Sequence, residues 1–373
     1  MRILILSAPF GSGHQRAAEA AAAALRSRGV QVAVSDLFSL VSPALSKLAA
    51  EAWTSLLKVA PSAYGAIYRW TEGAATPAEH PVGSPWALRS FLGPSLARLL
   101  DQTRPDLVAT THPAPLALAA DLKRRGRRYR LLSISTDYTI HGFSVFPEVD
   151  GYCLPHSSLL PEMRSRRVPP ERLFVTGIPV DPALHQRADR AEARARLGLD
   201  PAALTVAIMG GSLGMGPVAE AVQELLALPE PPLTLAFTGR NESLAEELEG
   251  LGSPHLRIIP FTDQMGLYYD AIDLLITKPG GLTLAEAIAK QVPLALLPPL
   301  PGQEERNRDF LVSTEAALAA EPGGVGAAVE RLCAAPERLA ALRRRVAELS
   351  VDRTADRVAE AAISLLEVAH VPA

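Results

Sequence analysis

The sequence predicts an α/β fold built of two Rossmann-like domains, each a doubly wound parallel sheet. Short apolar runs rich in β-branched residues alternate with Ala- and Leu-rich stretches of helical character along most of the chain. A Pro- and Arg-rich break interrupts this alternation near residue 180, and the alternation then restarts. The 373 residues suffice for two cores. These observations place a first domain at residues 1–180 and a second at 181–373, with a cleft between them. The last helix, at about 352–369, is free to pack back on the first domain.

Element by element, Arg2–Ala8 reads as a strand, Gly11-Ser12-Gly13 as a turn, His14–Arg28 as an Ala-rich helix closed by Gly29, and Val30–Ser35 as a second strand. That is one βαβ unit. Further strands are expected at Leu107–Thr111, Tyr129–Thr136 and Leu173–Thr176. Pro179-Val180-Asp181-Pro182 and an Arg-laced helix to Leu199 form the expected linker. Beyond it, strands are expected at Thr205–Met209, Leu233–Thr238, Leu256–Pro260, Leu274–Thr277 and Pro293–Leu297.

Composition narrows the function. Apolar residues make up 48% and charged residues 21%, as in a globular chain, and a net charge of −3 gives no reason to expect nucleic acid as a partner. Two cysteines, Cys153 and Cys333, are too few for a disulfide framework or zinc cluster and read as buried thiols. No apolar run reaches the roughly 18 residues of a membrane-spanning helix. The apolar N-terminal run leads into a glycine turn rather than a cleavage site, so the expected compartment is cytoplasmic.

In doubly wound sheets ligands sit at the carboxyl ends of the strands, so the loops there carry the chemistry. In the first, Ala8–Gln15, the third glycine of a dinucleotide fingerprint would be Arg16, which argues against that use. His14 instead falls at a helix N-terminus, where the dipole disfavours imidazolium and keeps a general base neutral. The loop Met209–Gly216 holds four glycines in seven residues, suited to a phosphate cradle or to tight packing. Lys278-Pro279-Gly280-Gly281-Leu282-Thr283 precedes a helix whose N-terminus suits a diphosphate. Thr283 adds a hydroxyl, and Glu286, read in the first turn, serves either ribose hydroxyls or the helix dipole. The polar cluster Gln303-Glu304-Glu305-Arg306-Asn307 then suits a sugar.

These motifs together resemble the monogalactosyldiacylglycerol synthase and processive diacylglycerol glucosyltransferase branch of the GT-B glycosyltransferases, relatives of the lipid II GlcNAc-transferase. The resemblance runs from about residue 2 to 330. It rests on the G-x-G-H loop ending at His14, Thr111-His112-Pro113, Thr136-Asp137-Tyr138 with His141, and Thr176–Val180. The MGGSLGMG loop and KPGGLT-x-x-E-A followed by P-x-PGQEE-x-N complete it, with Val59-Ala60-Pro61, Tyr64 and Tyr68 resembling an acceptor-side insertion.

The resemblance implies an inverting hexosyltransferase with a UDP-hexose donor in the C-terminal domain and diacylglycerol at the N-terminal domain. His14 is then the base. Gly13, Gly211, Ser212, Lys278, Gly280, Gly281, Leu282, Thr283 and Glu286 hold the donor, Gln303, Glu304 and Asn307 face its sugar or diphosphate, and Phe261 and Met265 lie at the uracil. Asp137, which orients His14 or His141 or else caps a turn, stands with His141, Tyr64 and Tyr68 on the acceptor side. Many relatives carry Trp shortly after the matching His, where this chain has Phe143 and Ser144. No DxD-type pair stands at the donor loops, so no metal or other cofactor is expected.

A membrane acceptor implies a peripheral enzyme on the inner face of the cell membrane. The segment Val41–Arg69 with Trp53, continuing to Trp70, is either a buried helical insertion or an amphipathic lipid-facing surface. Arg124, Arg125, Arg127 and Arg128 either meet anionic lipid or form a solvated helix end. The rival readings are UDP-GlcNAc transfer to a polyprenyl-linked acceptor, a UDP-GlcNAc 2-epimerase, a non-catalytic nucleotide-sugar sensor at the membrane and, last, a dehydrogenase.

Overall fold

A computed structural model describes residues 1–72, 85–212, 214–320 and 323–367. The chain forms two compact units. The first comprises Met1–Pro182, Pro301–Gln303 and Arg353–Ala373; the second comprises Ala183–Leu300 and Glu304–Asp352.

In the first unit, β1 (Arg2–Ser7), β2 (Gln31–Asp36), β3 (Leu107–Thr110), β4 (Arg130–Ile134), β5 (Gly151–Leu154) and β6 (Leu173–Val175) form a sheet of order β2-β1-β3-β4-β5-β6. Every pairing is parallel. Helices α1 (Gly13–Arg26), α2 (Pro43–Val59), α3 (Pro61–Glu72), α4 (Pro85–Thr103), α5 (Pro113–Arg124) and α6 (Leu160–Ser165) surround it. Successive strand residues point to opposite faces. Leu4, Leu6 and Val108 therefore enter one core with α4 and α5, while Ile3, Ile5, Leu107 and Ala109 enter another with α1.

The second unit begins with α7 (Arg190–Leu197). Strands β7 (Thr205–Met209), β8 (Leu233–Gly239), β9 (Leu256–Pro260), β10 (Leu274–Thr277), β11 (Leu294–Leu296) and β12 (Ala317–Ala319) pair in parallel in the order β12-β11-β10-β7-β8-β9. Around them lie α8 (Val218–Leu226), α9 (Glu242–Glu249), α10 (Met265–Ala271), α11 (Gly281–Ala289), α12 (Gln303–Ser313), α13 (Val325–Cys333) and α14 (Pro336–Leu349). The chain then returns to the first unit as α15 (Thr354–Glu367). There Ala355, Val358, Ala359 and Ala362 join the α1-side core, and Asp356 pairs with Arg28.

Each of the ten expected strands is present, and β5 and β12 are additional. Neither carries the usual signal: β5 is four residues opening on a glycine, and β12 is Ala-Leu-Ala with no β-branched residue. The expected linker needs correction. Its helix, α7, is part of the second unit, with Arg194 3% exposed, paired to Asp273 at 2.6 Å and donating to the carbonyls of Ala271 and Pro201 at 2.9 and 2.7 Å.

Segment 41–69 is helical, as α2 and α3, and mixes both expected characters. Trp53 packs on Phe10 at 6.1 Å between ring centroids, whereas Leu48 and Val59 are 61% and 85% exposed. The arginine run is mostly neutralised internally. Arg124 and Arg125 pair with Asp121 at 2.6 and 2.9 Å and Arg127 pairs with Asp101, as befits a solvated helix end. Cys153 is a buried free thiol, whereas the side chains of Cys333, Phe143 and Trp70 lie outside the described set. No helix among the described residues is long and apolar enough to cross a membrane.

Candidate active site

In the first unit the strand order reverses direction between β1 and β3, and the loops leaving their carboxyl ends meet there. One carries Gly11, at φ +82°, into α1 with His14 as its second residue. The other is Thr111-His112, with His112 as the N-cap of α5.

The His14 ring is held by its neighbours. Nδ1 lies 2.6 Å from the Thr111 carbonyl, which can only accept, so Nδ1 carries the proton. Thr136 Oγ1 sits 3.0 Å from Nδ1 and 3.4 Å from the Thr111 carbonyl, accepting from the ring and donating to the carbonyl. Nε2 is thereby left with its lone pair, ready to take a proton. Burial lowers the His14 pKa below 6.5, partly offset by the negative charge of Asp137 and by the Thr111 hydrogen bond. Burial thus acts on the ring alongside the helix dipole expected from its place in the first turn of α1. Thr111 and Thr136 hold Nδ1, and Asp137 acts on the ring through its charge.

His112 lies edge-on to His14, with centroids 4.7 Å apart and planes at 87°. Its Nδ1 accepts from the Ala114 N–H at 3.0 Å, so it holds the opposite tautomer, with the proton on Nε2. Its pKa is pushed well below 6.5 by burial and by His14 and His141. Burial also lowers His141, whose ring meets Tyr68 at 4.7 Å. Tyr64 donates to Gln303 Oε1 at 2.8 Å, within the Pro301–Gln303 segment that clusters with this unit. A cavity of about 300 Å³ is lined by His14, His112, His141, Tyr64 and Tyr68 together with apolar side chains of α5 and β4 and, among the described residues, by no lysine or arginine.

In the second unit the corresponding reversal lies between β7 and β10, and it brings together the two glycine loops picked out in the sequence. After β7 the chain folds on itself, with Met215 N–H donating to the Gly210 carbonyl at 2.9 Å. A Cβ on Gly210 would meet the Met215 carbonyl oxygen at 2.1 Å, so tight packing requires this glycine. Gly211 takes φ +72°, beside Ser212. After β10, Gly280 is the N-cap of α11 and makes no side-chain cap bond, so the N–H groups around Gly281, Leu282 and Thr283 suit a bound anion.

Three residues expected to touch donor also have protein partners. Lys278 pairs with Glu304, whose other oxygen accepts from the Leu300 N–H at 3.0 Å. Asn307, fully buried, donates to the Pro279 carbonyl at 3.0 Å. This network fixes the loop ahead of α11 against α12. Glu286 lies in the second turn of α11 rather than the first, 4% exposed, and accepts from Tyr269 Oη at 3.0 Å. Phe261 is 49% exposed under the Arg240 guanidinium, 4.9 Å from its centroid, and Met265 opens α10.

Sequence reasoning did not assign Thr111 and Thr136 as the partners of His14, nor the packing of His112 against it. The Thr111-His112-Pro113 strand end was the available signal, but only the β1–β3 adjacency shows what it meets.

The monogalactosyldiacylglycerol (MGDG) synthase family model matches residues 14–180, and the glycosyltransferase family 28 C-terminal domain model matches residues 205–347. By these two matches the chain resembles the MGDG synthase and processive diacylglycerol glucosyltransferase family. It is 28% identical to the processive diacylglycerol beta-glucosyltransferase of Bacillus mycoides, over 85% of this chain and 81% of that one. Identity to the Bacillus cereus (strain AH187) protein of the same name is 26%, over 100% and 96%. Among solved structures, Acinetobacter baumannii MurG superposes with a TM-score of 0.66 at 18% identity, covering 97% of this chain and 99% of that one. The UDP-GlcNAc 2-epimerase of Neisseria meningitidis gives 0.60 at 13% identity, covering 98% and 100%. These two likenesses show the GT-B fold, and because they span a transferase and an epimerase, the fold by itself does not choose the reaction.

Proposed function

We propose that this chain transfers a hexose, glucose or galactose, from a UDP-sugar to the free hydroxyl of diacylglycerol, inverting the anomeric carbon. The observation that carries the reading is the His14 arrangement: a half-buried ring of lowered pKa with Nδ1 tied to Thr111 and Nε2 open to accept a proton. As the acceptor oxygen bonds to the anomeric carbon, its proton passes to His14 Nε2, the carbon–oxygen bond to UDP breaks, and UDP leaves with the electron pair. General-base help of this kind contributes roughly a hundred- to ten-thousandfold.

In this reading, backbone N–H groups at the start of α11 and in the 210–216 loop face the diphosphate as its charge grows, a role worth about 3 kcal/mol per well-placed donor. No metal is required by it. Glu286 meets the ribose, and Phe261 and Met265 the uracil. Lys278, Glu304 and Asn307 shape the loop that holds the donor.

The lining of the first-unit cavity favours an uncharged acceptor. Among the described residues it has one carboxylate, Asp137, three histidines of lowered pKa and no lysine or arginine to match a diphosphate. Enclosing an unmatched anion there is unfavourable, which weighs against a polyprenyl diphosphate. The prepared base likewise weighs against a non-catalytic sensor. The exposed Leu48, Val59 and Phe91 offer apolar contact to a membrane, supporting peripheral association; the inner face is the side proposed.

The test is to offer UDP-glucose, UDP-galactose and UDP-GlcNAc separately, with diacylglycerol or a polyprenyl diphosphate sugar in anionic vesicles. Hexosyl-diacylglycerol formed from one of the first two donors is expected. Product on the polyprenyl acceptor alone contradicts the proposal.

A further inference from the structure

Two groups in the acceptor cavity are not used by the transfer step. One is His112. Because its Nδ1 is occupied by the Ala114 N–H at 3.0 Å, the ring offers Nε2–H, a donor, to the cavity that it lines. The other is Thr139. It lines the same cavity, is 7% exposed, and its Oγ1 is fully buried with no hydrogen-bond partner among the described residues. A buried hydroxyl left without a partner is unfavourable, and its presence in a cavity wall calls for a ligand atom to satisfy it.

The two groups share a chemistry. Nε2–H can only donate, and the hydroxyl can donate in the same way. Diacylglycerol has one hydroxyl, which His14 deprotonates, and its remaining oxygens are ester oxygens that only accept. We propose that His112 Nε2–H and Thr139 Oγ1–H donate to the ester carbonyls of the acceptor, making them specificity residues that select an acylated glycerol. This deepens the proposed function and rests on it. The selectivity follows from the unmatched alternative: an acceptor with ether oxygens, weaker acceptors, leaves the buried donors poorly paired.

Thr139→Val is the informative change, since it keeps the shape and removes the hydroxyl. Acceptor kinetics with dioctanoylglycerol and with its dialkyl ether analogue, dioctanoylglycerol binding by calorimetry, and Tm are measured for wild type and variant. The proposal predicts that wild type prefers the ester. Thr139→Val should raise the acceptor KM roughly threefold to tenfold, the loss expected for one hydrogen bond. It should leave the KM for UDP-hexose unchanged, shrink the ester-over-ether preference, and keep or raise Tm because an unpaired buried hydroxyl has gone. His112→Asn, which retains an oxygen able to cap α5, should reduce the ester preference likewise.

A purely structural hydroxyl predicts the reverse, a lower Tm with unchanged ester preference, and that result overturns the proposal. If wild type turns over and Thr139→Val matches it in KM and preference, the inference alone fails. If wild type neither binds nor glycosylates dioctanoylglycerol, the proposed function fails with it.

Discussion

At the scale of single residues, the protonation of His14 sets how the enzyme answers to pH. The base works only when neutral, so kcat/KM rises with pH and levels off above the folded pKa, which burial holds below 6.5. The acid limb of the profile is therefore expected below pH 6.5. The charge of Asp137 raises the His14 pKa, so Asp137→Asn should move the limb to lower pH. A pH–rate profile checks both, and a limb that stays in place or moves upward removes Asp137 from this role. The residue scale is also where sequence reading was least complete. His14 stood out because it directly follows a glycine turn. Its partners Thr111 and Thr136 lie 97 and 122 residues away, and no local pattern announces a contact made only when β1, β3 and β4 align.

At the scale of elements, strands were legible wherever β-branched residues ran between clear breakers, as in Thr205–Met209 and Leu256–Pro260. They were missed where Gly151 or a run of alanines hid them. Charge pairing was opaque. The Arg-rich stretch before residue 199 reads as a linker, yet α7 is anchored by Arg194 on Asp273, which also accepts from the Thr205 N–H at 2.9 Å and pairs with Arg190. Asp273 thus fixes α7 to the starts of β7 and β10. Asp273→Ala leaves the Arg194 guanidinium buried without its carboxylate, and a loss of about 3–5 kcal/mol in unfolding free energy is expected. Chemical denaturation measures it; a loss under about 1 kcal/mol would place the anchor elsewhere. In the donor cluster, Lys278, Glu304 and Asn307 bond within the protein and tie the loop ahead of α11 to α12, a role that residue type alone does not announce.

At the scale of the whole molecule, the two strand orders explain why loops far apart in sequence converge: in each unit the reversal of winding brings two strand ends side by side. That adjacency followed from the fold class, whereas the chemistry within each pair of loops needed coordinates. The half-buried histidines also give the protein a global pH dependence. His14, His112, His141 and His156 all have folded pKa values below 6.5, so the unfolded chain binds protons first as pH falls. Their contribution to stability is intact above pH 6.5 and is lost as pH drops from there towards the folded values. Tm should accordingly fall below pH 6.5, and less steeply in His112→Asn; equal slopes would sink this account of acid sensitivity. In the proposed reaction His14 takes the acceptor's proton during inverting transfer to diacylglycerol. The most direct test of this step is the rate and anomeric configuration of glycolipid formed from the productive UDP-α-hexose by wild type and His14→Gln. β-Linked product is expected from wild type, with a rate roughly a hundred- to ten-thousandfold lower from the variant; α-linked product, or a variant within a few-fold of wild type, would rule out His14 as the base of an inverting transfer.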